Sequence, residues 1–195
     1  MKNIMLIIYA HFSRSGHNGQ VLSEVEKFLK EKVHPYEILD LYQIDFDPIL
    51  TNQDILSREK FSSDEKIRSL QEKILQEQEF IFIYPTWWNN VPAMLKGFYD
   101  RVLAAGFAFR YQKNGLPEGL LKGKRALVFT TTGGPAFYQK LVRGTRSIKV
   151  TTSDTLEFCG LKTQSVLIGG CRSLDEKKKL EIQKKVAKAM EKFTA

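Results

Sequence analysis

The sequence predicts a three-layer α/β fold: a five-stranded parallel sheet, strand order 2-1-3-4-5, with helices on both faces. Three observations point there. Strand-length apolar runs alternate along the chain with stretches of helical period. Two of the runs, Phe80-Ile81-Phe82-Ile83-Tyr84 and Ala126-Leu127-Val128-Phe129, are apolar or aromatic throughout, as buried parallel strands are. The runs stop at residues that break a ladder, among them Pro85, Gly133-Gly134 and Gly169-Gly170.

Taken in order, residues 3–9 read as the first strand. Residues 18–32 carry Val21, Leu22, Val25, Phe28 and Leu29 on one helical stripe. Residues 36–41 alternate as a short second strand. Residues 45–62 read as loop, with Pro48, Asn52 and Ser57 among scattered charges. Ser63-Asp64-Glu65 opens a helix with Ile67, Leu70 and Ile74 on its apolar side. The third strand is 79–84. Pro92, whose missing N–H costs nothing in a first turn, starts the helix bearing Met94, Leu95, Phe98 and Tyr99. A loop holding Asn114-Gly115, Pro117 and Gly119 leads to the fourth strand, 125–130. A polar stretch runs to about residue 150. Residues 151–159 read as a helix ended by Gly160, 163–168 as the fifth strand, and 174–193 as the last helix. No repeat or linker divides the chain, so 1–195 reads as a single domain.

Composition excludes several classes. With 43% hydrophobic and 27% charged residues, the chain has the make-up of a soluble globular protein. No apolar run is long enough to span a bilayer. The apolar N-terminus is short for a signal peptide and lacks a small-residue cleavage site. Cys159 and Cys171 are too few for a disulfide framework, and the cytoplasm is the expected compartment. A net charge of +8 raises nucleic acid as a partner. The excess reads as sitting mainly in the lysine-rich C-terminal helix, as a solvated face without a recognition motif, so no nucleic acid is expected. No zinc spacing, nucleophile elbow, Gly-x-Gly-x-x-Gly or Walker motif is present, and no metal is expected.

The chemistry falls on three loops. In this strand order the loops after strands one, three and four meet at the carboxyl edge of the sheet, where open α/β sheets bind ligands. The first is His11-Phe12-Ser13-Arg14-Ser15-Gly16-His17-Asn18, at the start of a helix. Free N–H groups, hydroxyls and basic side chains there suit a phosphate better than capping alone. The second is Pro85-Thr86-Trp87-Trp88-Asn89-Asn90-Val91-Pro92. One tryptophan is expected to face a flat aromatic cofactor and the other to pack inward. The third is Thr131-Thr132-Gly133-Gly134-Pro135-Ala136-Phe137-Tyr138, where paired glycines let backbone N–H groups approach a ligand or simply make a turn.

These motifs, with Asp100-Arg101-Val102 and Gly106-Phe107-Ala108-Phe109, resemble the flavodoxin-like NAD(P)H:quinone oxidoreductases, the DT-diaphorase group. That group includes small bacterial members that serve as ancillary subunits of glutathione-gated potassium efflux. The resemblance implies that His11, Ser15, Gly16, His17 and Asn18 hold a flavin phosphate and ribityl chain. It implies that Pro85, Thr86, Trp87 and Trp88 wrap the isoalloxazine, and that Thr131, Thr132, Gly133 and Gly134 bind its pyrimidine side. Tyr138 resembles the family's tyrosine that assists hydride transfer. The histidine that accompanies it in the family is absent from Leu141-Val142-Arg143-Gly144-Thr145-Arg146; either an arginine supplies its charge or no relay operates. Phe109 and Tyr111 match positions that reach a partner subunit's site, which implies a homodimer.

By the same resemblance the cofactor is FMN, with FAD the alternative. The reaction is a ping-pong transfer of hydride from NAD(P)H to flavin N5 and on to a quinone. Two alternatives share the site: a redox-sensing subunit docked peripherally on a membrane transporter, and an azo- or nitroreductase.

Overall fold

A computed structural model describes residues 4–56 and 61–195. Asn3, placed in the first strand above, and Ser57, placed in the 45–62 loop, lie outside the described residues. The elements in chain order begin with β1 (Met5–Tyr9), α1 (His17–Glu31), β2 (Tyr36–Asp40), α2 (Asn52–Leu56) and α3 (Glu65–Gln76). They continue with β3 (Glu79–Pro85), α4 (Ala93–Val102), β4 (Phe109–Tyr111), β5 (Pro117–Gly119) and β6 (Arg125–Thr131). The last are α5 (Ala136–Leu141), α6 (Arg146–Lys149), a π-helix (Thr152–Glu157), β7 (Lys162–Ile168) and α7 (Glu176–Thr194).

The main sheet is parallel with order β2-β1-β3-β6-β7, which is the 2-1-3-4-5 arrangement once the β4-β5 hairpin is set aside. Alternate residues of each strand point to opposite faces. Leu6, Ile8, Phe80, Phe82 and Val128 pack on one face with α3, α4 and the π-helix. Met5, Ile7, Ile81, Ile83 and Phe129 pack on the other with α1 and α7. Both layers are apolar, which is why β1, β3 and β6 could not carry the polar alternation of a half-exposed strand. Among the described residues, no helix is long and apolar enough to cross a membrane.

Four expectations are corrected. Residues 45–62 are not all loop: α2 forms at Asn52–Leu56, with Thr51 and Asp54 exchanging hydrogen bonds. The polar stretch before residue 150 holds α5 and α6, which are too short to show a helical period. The loop after α4 contains an antiparallel hairpin, β4-β5. Finally, the basic excess is not gathered at the C-terminus. Between residues 175 and 195 seven lysines face four acidic residues, and Lys178, Lys179 and Lys185 are ion-paired to Glu181 or Glu176. Between residues 119 and 153 there are seven basic residues and no acidic one.

Candidate functional site

The three loops converge at the carboxyl edge of the sheet and are tied to one another pairwise. Loop one meets loop three where the Thr131 hydroxyl donates to Asn18 Oδ1 at 3.2 Å, a buried bond. Loop two meets loop three where the Thr86 N–H donates to the Thr131 carbonyl at 2.7 Å and the Thr86 and Thr130 hydroxyls lie 3.2 Å apart. Loops one and two meet through rings: His11 stacks on Phe12 at 4.4 Å, and Trp87 lies 6.4 Å from His11 and 6.3 Å from Phe12.

Loop one presents an uncapped helix start. Gly16 is the N-cap of α1 and no side chain bonds the first turn, so its N–H groups lack the partner that a Ser or Asp cap supplies. There is no acidic residue in that turn to oppose an anion. A Cβ built on Gly16 meets nothing within 4 Å, so the approach is open. Ser13 and Ser15 bring hydroxyls together at 2.8 Å beside it. Gly19 is the opposite case: a Cβ there would lie 1.6 Å from the Arg14 carbonyl, so the loop can fold back onto α1 only over a glycine.

Some residues of this loop are engaged elsewhere. Arg14, read from the sequence as spare positive charge, pairs with Asp40 at 2.9 Å. His17 Nε2 lies 3.0 Å from the Ser173 carbonyl, so the structure turns its ring toward the β7–α7 connection. Tyr9 donates to the Ser13 carbonyl at 2.8 Å and holds the loop from below. Burial foremost, then the Asp40 carboxylate, pushes the Tyr9 phenol above its ordinary value, so it stays a donor.

Loop two departs from expectation. Neither tryptophan packs inward: Trp87 is 41% exposed and Trp88 fully so. The cause is a tight turn. Trp87 N donates to Asn90 O at 3.0 Å and Asn90 N to Trp87 O at 2.8 Å. The two residues between, Trp88 and Asn89, both adopt positive φ, 50° and 59°. That geometry suits Asn or Gly and costs roughly 1 kcal/mol or more for a tryptophan. Strain of this kind collects at binding sites. Asn89 Oδ1 is buried without a hydrogen-bond partner.

Loop three leaves β6 at Thr131 and is half consumed by structure. Thr132 donates its N–H to the Ile168 carbonyl. The N–H groups of Gly133 and Gly134 have no partner among the described residues, and a Cβ on Gly133 would meet nothing within 4 Å. On α5, Tyr138 is 41% exposed. Its neighbour Gln139 donates to Thr132 Oγ1 at 3.4 Å, while Gln139 Oε1 is buried and unpartnered. Two orphaned amide oxygens, on Asn89 and Gln139, thus stand in loop two and just after loop three. Neither was singled out from the sequence, nor was Phe12, which is 62% exposed beside Trp87. Their only signal was position: Phe12 and Asn89 lie within marked loops, and Gln139 directly follows the third.

The remaining candidates carry less. Pro85 ends β3 and is buried. Cys159 is core, and burial pushes its thiol up to about 12. Cys171, half-buried, donates to the Ile168 carbonyl at 3.3 Å, and burial raises its thiol as well. Among the described residues no three His, Cys, Asp or Glu side chains are grouped to hold a metal.

The parallel sheet of order β2-β1-β3-β6-β7 defines a flavodoxin-like fold, and at its rim stand an uncapped helix start, open backbone N–H groups and bare aromatic faces around one switch point. A family profile described as flavodoxin-like fold matches residues 3–193. The chain is 31% identical to an NAD(P)H oxidoreductase of Haemophilus influenzae, with 97% of this chain and 96% of that one covered. Among solved structures, an NAD(P)H:quinone oxidoreductase from Methanothermobacter marburgensis superposes with TM-score 0.86 at 26% identity, covering 100% and 98% of the two chains. An FMN-dependent NADH-azoreductase from Bacillus anthracis, solved with FMN, superposes with TM-score 0.78 at 25% identity over 99% and 100%. The chain belongs to the flavodoxin-like NAD(P)H:quinone oxidoreductase family.

Proposed function

We propose that this chain is an FMN-dependent NAD(P)H:quinone oxidoreductase, with the whole chain acting as a single domain in the cytoplasm. One observation carries the reading: three rim loops are joined pairwise around an uncapped α1, with open space over Gly16 and Gly133. The donor set suits FMN. The first turn of α1, with Ser13 and Ser15, would take the phosphate. His11, Gly16 and Asn18 border that end, and His17 contributes through its backbone, since its ring is held by Ser173. The free N–H groups of Gly133 and Gly134, next to Thr131 and Thr132, would face the pyrimidine edge. Pro85, Thr86 and Trp87 form the opposing wall, with the exposed Trp88 face as a cover.

Bound there, FMN supplies the two-electron redox chemistry. The chain's own part is to hold the stacked partners parallel, keep water from the faces, and place a proton donor. Tyr138, half-exposed beside the glycine pair, is the group we assign to hold a proton at the oxygen of the acceptor. A homodimer is proposed from the α4 side. There Tyr99, Leu103, Phe109, Tyr111 and Phe158 line a cleft of about 860 Å³ that Lys96, Asp100, Arg110 and Asp154 also border, and Tyr111 stands 65% exposed.

The test is the absorbance spectrum of purified protein reconstituted with FMN, followed by NADPH and NADH oxidation with a soluble naphthoquinone. Bound flavin and quinone-dependent turnover are expected; protein that stays colourless sinks the reading. Tyr138→Phe should slow reduction by roughly 10²-fold at unchanged flavin content. Likeness to the Bacillus anthracis azoreductase supports azo dyes as second acceptors, to be assayed in the same way.

A further inference from the structure

Residues 136–150 form an arch across the rim whose two feet stand on different walls of the site. At one foot, Gln139 donates to Thr132 beside the glycine pair. At the other, Ser147 accepts from Thr86 Oγ1 at 3.0 Å, and its carbonyl accepts from the Tyr84 hydroxyl at 2.8 Å. Between the feet the chain bends sharply at Gly144 and Thr145, both at positive φ, and Thr145 N closes the bend on the Gln139 carbonyl. The arch is therefore built, and it is built beside the site.

What it carries is charge with no countercharge. Lys140, Arg143, Arg146 and Lys149 are all exposed, and none is ion-paired or hydrogen-bonded through its side chain among the described residues. No acidic residue lies between Glu118 and Asp154. Four arginines elsewhere are balanced: Arg14, Arg101, Arg110 and Arg125 all pair with carboxylates. Four like charges within ten residues of chain, with no acidic residue among them, repel one another, and an anion arriving from solution relieves that repulsion. Arginine, with its planar fork, matches a phosphate dianion bidentately.

We infer that the arch is a phosphate-reading element that makes the enzyme prefer NADPH to NADH, with Arg143 and Arg146 taking the 2′-phosphate. This deepens the reading above and rests on it. The pyrophosphate is common to both nucleotides, so a general pull on anions would help both. Only the extra 2′-phosphate, with nearly two negative charges, turns local positive charge into discrimination. The flanking Leu141 and Val142, exposed at 83% and 64%, offer apolar surface for the adjoining adenosine.

The test has two arms. By calorimetry on the reconstituted protein, adenosine 2′,5′-bisphosphate should bind about tenfold or more tighter than AMP, the size of one or two charge-assisted bonds. In R143A/R146A that difference should vanish. In K184A/K188A, which removes equal charge from exposed positions of α7, it should persist. By steady-state kinetics the ratio of kcat/KM for NADPH over NADH should fall toward one in R143A/R146A, through KM for NADPH. Equal binding of the two adenosine ligands by the unaltered protein overturns the inference. So does an equal loss of discrimination in the two double variants. Absence of turnover with either nucleotide overturns the oxidoreductase reading instead, and the calorimetric arm still reports on the arch. The four substituted residues have no side-chain partners to lose among the described residues, and circular dichroism checks that each variant is folded.

Discussion

Arg101, near the end of α4, and Trp88, in the loop leading into α4, are opposite treatments of a large side chain. Arg101 is 6% exposed and fully employed. It holds both carboxylate oxygens of Asp54, one of Asp64, and the Asp47 carbonyl. Trp88 is wholly exposed on a strained backbone, and among the described residues no hydrogen bond or ring contact holds its side chain. The first residue serves the fold, binding the long 41–64 connection to the sheet's helical layer. The second makes sense only with something laid against it. The rim keeps strain, bare aromatic faces and orphaned carbonyls, whereas the interior has spent its polar groups on itself.

The sharpest way to break that contrast is at its buried end. Arg101→Leu strands the buried Asp54 carboxylate and should cost roughly 3–5 kcal/mol in urea unfolding. A loss below 1 kcal/mol would mean the cluster is no anchor. Next come two glycines. Gly19→Ala places a methyl against the Arg14 carbonyl and should cost about 1–3 kcal/mol. At Gly134 an added Cβ meets only Gln139 Nε2 at 4.0 Å, so in Gly134→Val the urea midpoint should hold while retained flavin falls. If stability and flavin drop together, the space over Gly134 is not ligand space.

Trp88→Gly should move the two readouts in opposite senses. Relief of positive φ stabilises the protein by up to about 1 kcal/mol, while loss of the indole weakens flavin retention. The smallest effect is acid sensitivity. Burial opposes ionisation of Asp54, but hydrogen bonds from Thr51 and Arg101 and the guanidinium charge outweigh it and hold the carboxyl below its ordinary 3.8. A carboxyl so depressed contributes stability above the unfolded value and loses it as pH falls through the folded one. Asp54→Asn should therefore flatten the decline in stability below about pH 4, as read from urea midpoints across an acid series.

The sheet was legible because buried parallel strands spell themselves out: Phe80 to Tyr84 and Ala126 to Phe129 leave no room for another element. The three rim loops were legible for a related reason, since each follows such a run directly. What escaped notice depended on partners far along the chain or on unfavourable local geometry. Arg101 looks like a surface residue until Asp54 and Asp64 close over it. Arg14 looks free until Asp40 takes it. A tryptophan at positive φ runs against its own preference, so no local rule would lift Trp88 into solvent. Helix α5 buries none of its residues, so it left no periodic trace, and the density of unopposed cations around it, from Lys140 to Lys149, was less visible than the longer lysine run of α7.

The buried bond between Asn18 and Thr131 also has a bearing on the apoprotein. Its partners are separated by 113 positions, so the first and third loops are held together only where α1 and β6 are both docked on the sheet. The rim is thus fastened by the fold itself, and protein prepared without flavin should already possess its complete architecture, as hydrogen exchange of the Asn18 and Thr131 segments would report.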